Sequence, residues 1–331
     1  LHQLTSSKIM KKINVFLAVL ACCVSVVGYS QKLDMSLFEG IKPRNVGPAG
    51  MSGRITTIDV VNDQPDIIYV GSASGGLWKS TSGGIKWEAL FDREATASIG
   101  AVAIDQSNPS VVWVGTGEGN PRNSLNGGAG IYRSLDAGKT WQNMGLKNTM
   151  HIHKILIDPR NSNLVYVGAI GSPWGEHPER GVYKTTDGGK TWAKILFVNN
   201  KTGVADMIMD PTNPNKIIAA LWEHKIDPWF FKSGGPGSGL YMTIDGGANW
   251  KQISSKDGLP EGELGRIGLA MATNKPHIVY ALVESKKNAL YKSEDGGNSW
   301  KKINDKPEIG DRPFYYSDLF VGVGWVLQST K

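Results

Sequence analysis

One motif, S/T-x-D-x-G-x-x-W, recurs five times along this chain, with its tryptophan at Trp87, Trp141, Trp192, Trp250 and Trp300. The spacings are 54, 51, 58 and 50 residues. A period of that length marks a single supersecondary unit, too small to bury its own apolar surface, that must stack against copies of itself.

The chemistry of the motif suits a tight hairpin. Asp136, Asp187, Asp245 and Asp295 can each accept backbone N–H groups inside a turn, while the following glycine takes a positive φ at little steric cost. Trp141, Trp192, Trp250 and Trp300 are expected to pack beneath their hairpins. Turn formation accounts for the aspartate spacing, so these residues are read as structural. Ser82 replaces the aspartate in the first copy, and that hairpin should be the weakest.

Upstream of the hairpins, Asp-Pro or Asn-Pro pairs such as Asp158-Pro159 separate two apolar runs, and proline after aspartate presets a type I turn. In the second repeat the reading gives strands at 99–105, 111–116, 130–134 and 140–144. Four short antiparallel strands per period describe one blade of a β-propeller. The 41 glycines, 11 tryptophans and 10 tyrosines, without long helix-period stretches, agree with an all-β chain. The expected blades lie at about residues 44–92, 98–146, 151–198, 204–254 and 265–304, with a sixth begun at 312–321. Residues 322–331 do not continue the pattern and are expected to be the aberrant tail of a truncated product.

Residues 1–30 read as upstream read-through and a signal peptide, with Met10-Lys11-Lys12 as the charged start, an apolar run from Ile13 to Val27, and Gly28-Tyr29-Ser30 as the cleavage site. The run is shorter than the roughly 20 residues a spanning helix needs, so no membrane span is expected in the mature chain. Cys22 and Cys23 both lie in this segment, and cleavage leaves a fold without disulfides. Lipid anchoring through Cys22 is the less favoured alternative, because apolar residues continue past it. The formal charge is +6, of which Lys8, Lys11 and Lys12 leave with the leader, giving +3. That modest excess, scattered among acids, excludes a nucleic-acid footprint.

Strand alternation puts the hairpins and the short A–B turns on one face of the propeller and the variable B–C loops on the other. Loops on a rigid scaffold are where function concentrates. Three of them hold the unusual residues: Glu118, Asn120 and Arg122 in the second blade, Trp174, Glu176 and Arg180 in the third, and Trp222, Glu223, Asp227 and Trp229 in the fourth. Carboxylates beside flat indoles suit a glycan or an extended peptide or protein segment. Glycoside hydrolysis needs two carboxyl groups flanking the bond, and Glu118 with Glu223 is the candidate pair. The other readings are carboxylates held by arginine and tryptophans packed under a long loop. Asn120, Arg122, Trp174, Arg180, Trp222 and Trp229 are the expected ligand-binding residues. His151 and His153 share a strand face without a third ligand nearby, so no metal or other cofactor is expected and both are read as surface or edge histidines. The glycine-rich Ser233–Gly239 stretch leads into a strand and is read as a turn.

The repeats, together with Asn45-Val46-Gly47-Pro48, Gly115-Thr116-Gly117-Glu118, Gly265-Arg266-Ile267-Gly268 and Arg312-Pro313-Phe314-Tyr315-Tyr316, resemble the secreted BNR/Asp-box proteins of Bacteroidetes-type bacteria, described as sortilin-like or glycosyl-hydrolase-like. The resemblance covers roughly residues 40–321 and implies a propeller that either recognises a ligand or cleaves a polysaccharide. The Arg-Ile-Pro start motif of Asp-box sialidases and the loop motifs of double-propeller xyloglucan-cleaving enzymes have no match here, so no catalytic residue carries over.

Overall fold

The computed structural model describes residue 34 and residues 53–120, 125–311, 313–316, 318–322 and 325–328. The leader, Cys22, Cys23 and Arg122 lie outside the described residues. Its regular structure is nearly all strand, arranged as successive antiparallel sheets of a β-propeller.

The first sheet is β1 (Ile55–Val60), β2 (Ile68–Ser72), β3 (Leu77–Ser80) and β4 (Glu88–Ala89). The second is β5 (Ile99–Ile104), β6 (Val112–Thr116), β7 (Ile131–Ser134) and β8 (Gln142–Asn143). The third is β9 (Ile152–Asp158), β10 (Asn161–Ala169), β11 (Gly181–Thr185) and β12 (Ala193–Leu196). The fourth contains β13 (Thr202–Met209), β14 (Ile217–Asp227), β16 (Gly239–Thr243) and β17 (Lys251–Ile253), with β15 (Phe230–Ser233) folded back on the far end of β14. The fifth is β18 (Ile267–Met271), β19 (Val279–Val283), β20 (Ala289–Ser293) and β21 (Lys301–Asn304). Finally, β22 (Leu319–Gly322) pairs with β23 (Trp325–Gln328). Residues expected to break the pattern thus supply a second strand, Val321 opposite Val326.

Within each blade the strands follow one another up and down, and the first strands of successive blades adjoin. The second sheet is covered on both faces by its neighbours, which is why all six residues of β5 and all five of β6 are buried. Burying such Val and Ile side chains contributes about 1.5–3 kcal/mol each. The cores therefore lie between blades: Val102, Ile104, Val112 and Val114 pack with Tyr69 and Phe91 of the first sheet. Ala101, Ala103 and Trp113, on the opposite face of the second sheet, pack with Ile155, Val165 and Val167 of the third. Outermost strands of two to four residues leave little free edge.

The hairpins follow one bonding scheme. Asp187 Oδ1 accepts from Thr185 Oγ1 at 2.8 Å and from the Thr191 amide at 3.0 Å, Oδ2 accepts from Thr191 Oγ1 at 2.6 Å, and the Gly189 amide donates to Thr185 Oγ1 at 2.9 Å. Asp136, Asp245 and Asp295 repeat it. These bonds stabilise the carboxylate form and lower the Asp136 pKa to about 2. Ser82 offers a single oxygen, which accepts from Lys86 N at 2.9 Å.

The tryptophans depart from the expected position. Trp141 Nε1 donates to Leu90 O at 3.0 Å and Trp192 Nε1 to Met144 O at 2.8 Å, so each indole reaches sideways to the last strand of the preceding blade. Trp141 and Trp192 thus tie one blade to the preceding one, and Trp141, Trp192 and Trp250 remain half-buried. Trp300 is buried and bonds to Gly297 O within its own hairpin.

Candidate functional site

The loop face is built where second strands end and first strands begin. In the second blade Glu118 is buried, its carboxylate ion-paired with Arg54. Its amide donates to Ser98 Oγ at 3.1 Å and Asn126 O at 3.3 Å, which fixes the loop. Asn120, two residues on, is buried, and its Oδ1 meets no donor among the described residues.

The third-blade loop is organised from inside by Arg180. Its guanidinium is fully buried and donates to Ile170 O at 2.9 Å, Ser172 O at 2.5 Å and Gly175 O at 3.1 Å. Expected on the ligand surface, Arg180 instead acts as the loop's own template. Burial lowers its pKa to about 10, against the opposing field of Glu223. Trp174, on the same loop, is 48% exposed.

In the fourth blade β14 runs eleven residues, past the end of its sheet, because β15 pairs with its extension from His224↔Ser233 to Asp227↔Phe230. The two-residue turn between them is Pro228-Trp229, which leaves Trp229 at the tip, 84% exposed. Ile226 N donates to Pro173 O at 2.8 Å, tying this hairpin to the loop that carries Trp174. Trp222 lies at the other end of the hairpin and is fully buried. It stacks on His224 with centroids 4.0 Å apart, meets Phe231 edge-on and donates to Ser233 Oγ at 3.0 Å. Trp222 is therefore a support for the hairpin and not an exposed platform.

Glu223 is also buried. Lys232 Nζ lies 3.7 Å from Oε1, and the Gly237 amide donates to Oε2 at 3.3 Å. A side chain at Gly235 would collide with this carboxylate, so the glycine-rich stretch read as a turn is also a cradle for Glu223. Glu118 and Glu223 thus sit in separate loops, each with its own cation, Arg54 in one case and Lys232 in the other. Arg180 makes no ion pair with either carboxylate among the described residues, and Arg122 lies outside them.

Behind these loops lies a polar layer that sequence reasoning missed. Trp222 donates to Ser233 Oγ, Ser233 Oγ to Glu284 Oε2 at 2.6 Å, and the Arg266 amide to the same oxygen at 2.7 Å. The Arg266 guanidinium reaches Phe314 O at 3.1 Å, Asp318 Oδ1 at 3.2 Å and His153 Nε2 at 3.2 Å. An arginine can only donate, so His153 accepts at Nε2 and carries its proton on Nδ1. His151 and His153, expected at a surface or edge, are buried and half-buried respectively, because β9 is flanked by β5 and β13 of the neighbouring blades. Burial, reinforced by Arg180 and His177, pushes the His151 pKa down to about 4. Burial and then Arg266 push His153 down to about 4. Burial, with Arg180 adding to it, holds His224 well below the ordinary histidine range. The histidines are neutral at physiological pH, and no group of three metal-ligating side chains occurs among the described residues. The early signals were His151-x-His153, Gly265-Arg266-Ile267-Gly268 and the Ser233–Gly239 stretch, read separately; these residues come from different blades and could be joined, with Glu284, only by folding.

The face therefore offers exposed indoles on mutually bonded loops above a hydrogen-bonded floor of buried polar side chains. The fold is a β-propeller, and the chain is similar to sortilin-like and glycosyl-hydrolase-like propeller proteins. Residues 129–259 match the family model described as sortilin, neurotensin receptor 3. The chain is 23% identical to a xyloglucanase of Paenibacillus sp over 301 residues, covering 81% of this chain and 28% of that protein. It is 28% identical to a xyloglucanase of Hypocrea jecorina over 186 residues, covering 52% of this chain and 21% of that one. Among solved structures it matches an ancestral GH74 enzyme with a TM-score of 0.59 at 19% identity, over 78% of this chain and 32% of that one. The Niastella koreensis GH74 enzyme matches with a TM-score of 0.50 at 15% identity, over 83% and 50%. The chain thus spans less than a third of the length of these curated relatives. No helix among the described residues is long and apolar enough to cross a membrane.

Proposed function

We propose that this chain is an exported propeller domain, processed after Ser30, that recognises a polysaccharide on its B–C loop face. The observation that carries the reading is the pair of exposed indoles, Trp174 and Trp229, on loops bonded through Ile226 and Pro173. Flat aromatic side chains whose loops are already fixed can stack on sugar rings without an ordering cost on binding. Asn120, whose Oδ1 meets no donor among the described residues, adds a polar contact on the same face, and Arg122 follows it two residues on in the sequence. The xyloglucanase relatives make a xyloglucan-type β-glucan the first ligand to test.

Calorimetric titration with xyloglucan oligosaccharides tests this. Trp229→Ala and Trp174→Ala should each weaken binding by more than about 1 kcal/mol, roughly fivefold or more, with unchanged melting. Full affinity in the double variant overturns the reading. The relatives also favour a second reading, hydrolysis of the bound chain through Glu118 and Glu223. Release of reducing ends, lost in Glu118→Gln or Glu223→Gln while binding persists, would support it; turnover surviving both substitutions eliminates that pair.

A further inference from the structure

We infer that His151 and His224, buried with Arg180 where the third and fourth blades meet, form an acid-sensitive latch whose protonation opens the two loops carrying Trp174 and Trp229 while the remaining blades stay folded. His151 stands just before β9, and its carbonyl accepts from the Ile170 amide at 3.0 Å; Ile170 O in turn accepts from the Arg180 guanidinium that templates the third-blade loop. His224 opens the part of β14 that pairs with β15 alone, from His224↔Ser233 to Asp227↔Phe230. A two-stranded hairpin is marginal by itself. This one is held at its base by the stack of Trp222 on His224 and by Phe231 against Phe314, and nearer its tip by the bond from Ile226 to Pro173 of the Arg180 loop. The imidazoles therefore lie under both loops at once.

Their surroundings have no place for a second proton. His151 and His224 are 2% and 4% exposed, and Nδ1 of each meets no hydrogen-bond partner among the described residues. The charged or titratable groups that act on His151 are Arg180 and His177, and those that act most strongly on His224 are Arg180, His151 and Arg266, all of them bases. A backbone hydrogen bond at Trp222 is the one influence favouring the proton on His224. Glu223, its chain neighbour, is directed instead to Lys232 and the Gly237 amide. His177, half-buried on the Arg180 loop, has Glu179 as well as Arg180 and Lys194 near it, and His153 has Asp318 and Asp206 as well as Arg266 and Lys154, so a proton on either is partly compensated. An imidazolium at 151 or 224 combines desolvation with repulsion from a buried guanidinium, and lifting the loops into water relieves both. The first two blades supply an internal reference, because residues 53–150 contain no histidine.

Hydrogen exchange of the whole chain, read by mass spectrometry at pH 7 and pH 5 and corrected for the intrinsic exchange rate, tests the inference without reference to any ligand. Amides at 170–180 and 224–233 should lose at least about tenfold more protection at pH 5 than those of β5 and β6. A single imidazole held near pKa 4 when closed and free at 6.5 when open accounts for roughly 20-fold between those pH values. His151→Gln and His224→Gln, uncharged at both pH values, should each shrink the loop response by about that factor; should one of them fail to fold at pH 7, the other decides. Equal loss of protection in the loops and in β5 and β6, no change between the two pH values, or an undiminished loop response in a folded glutamine variant overturns the proposal.

Discussion

Acidification should unfold this propeller through its buried imidazoles. His151 and His153 have folded-state pKa values near 4, against about 6.5 in an unfolded chain. Between those values the unfolded state holds a proton the folded state lacks, so stability falls as pH falls. The slope is about 1.4 kcal/mol per pH unit for each group. Asp59 opposes them: burial raises its carboxyl to about 6 although the Ile104 and Val60 amides donate to it, so below pH 6 the folded state binds the extra proton. From pH 6.5 to 6 two histidines act alone and remove about 1.4 kcal/mol. From pH 6 to 5 one of them is offset, and about 1.4 kcal/mol more is lost, giving a total of about 2.7 kcal/mol. His224 adds to the loss, and Glu284, raised by burial, offsets part of that addition. Guanidinium unfolding at pH 6.5 and pH 5 reads the difference directly. His151→Gln should remove about 2 kcal/mol of the pH dependence, its share over 1.5 units. Equal stability at the two pH values, or an unchanged difference in His151→Gln, refutes the reasoning.

Ala137 adopts φ 59° where the other hairpins have glycine, so Ala137→Gly should stabilise by roughly 0.5–1 kcal/mol, read as a higher denaturation midpoint. Trp300→Ala removes a buried ring and should cost about 3–5 kcal/mol, whereas Trp87→Ala, at 42% exposure, should cost far less; equal losses would contradict the packing. Ser82→Asp should stabilise the first hairpin by supplying the second acceptor oxygen that the other copies have, and Ser82→Ala should not. Glu118→Gln removes the charge of a buried carboxylate that is ion-paired with Arg54 and should lower the melting temperature, even if it has no effect on ligand affinity.

The sequence by itself determined the blades. Five hairpin motifs at a regular period, with apolar runs and Asp-Pro turns between them, are local signals, and local signals specify strands and turns whatever lies beyond them. Strands read at 99–105 and 111–116 emerge at Ile99–Ile104 and Val112–Thr116. Trp174 and Trp229 were legible as loop residues for the same reason. What only the tertiary structure decided is which side each long side chain takes. Trp222 and Trp229 stand seven residues apart in one stretch, yet one stacks on His224 inside and the other caps a turn outside, because β15 covers one end of β14 and leaves the tip bare. Arg180 looked like a ligand contact and became the core of its own loop, because three carbonyls converge on it. The Arg266–His153 contact spans 113 residues, and the Trp141–Leu90 bond joins separate blades. Such contacts form only when repeats stack, so the period shows that they must exist and the assembled propeller decides between which residues.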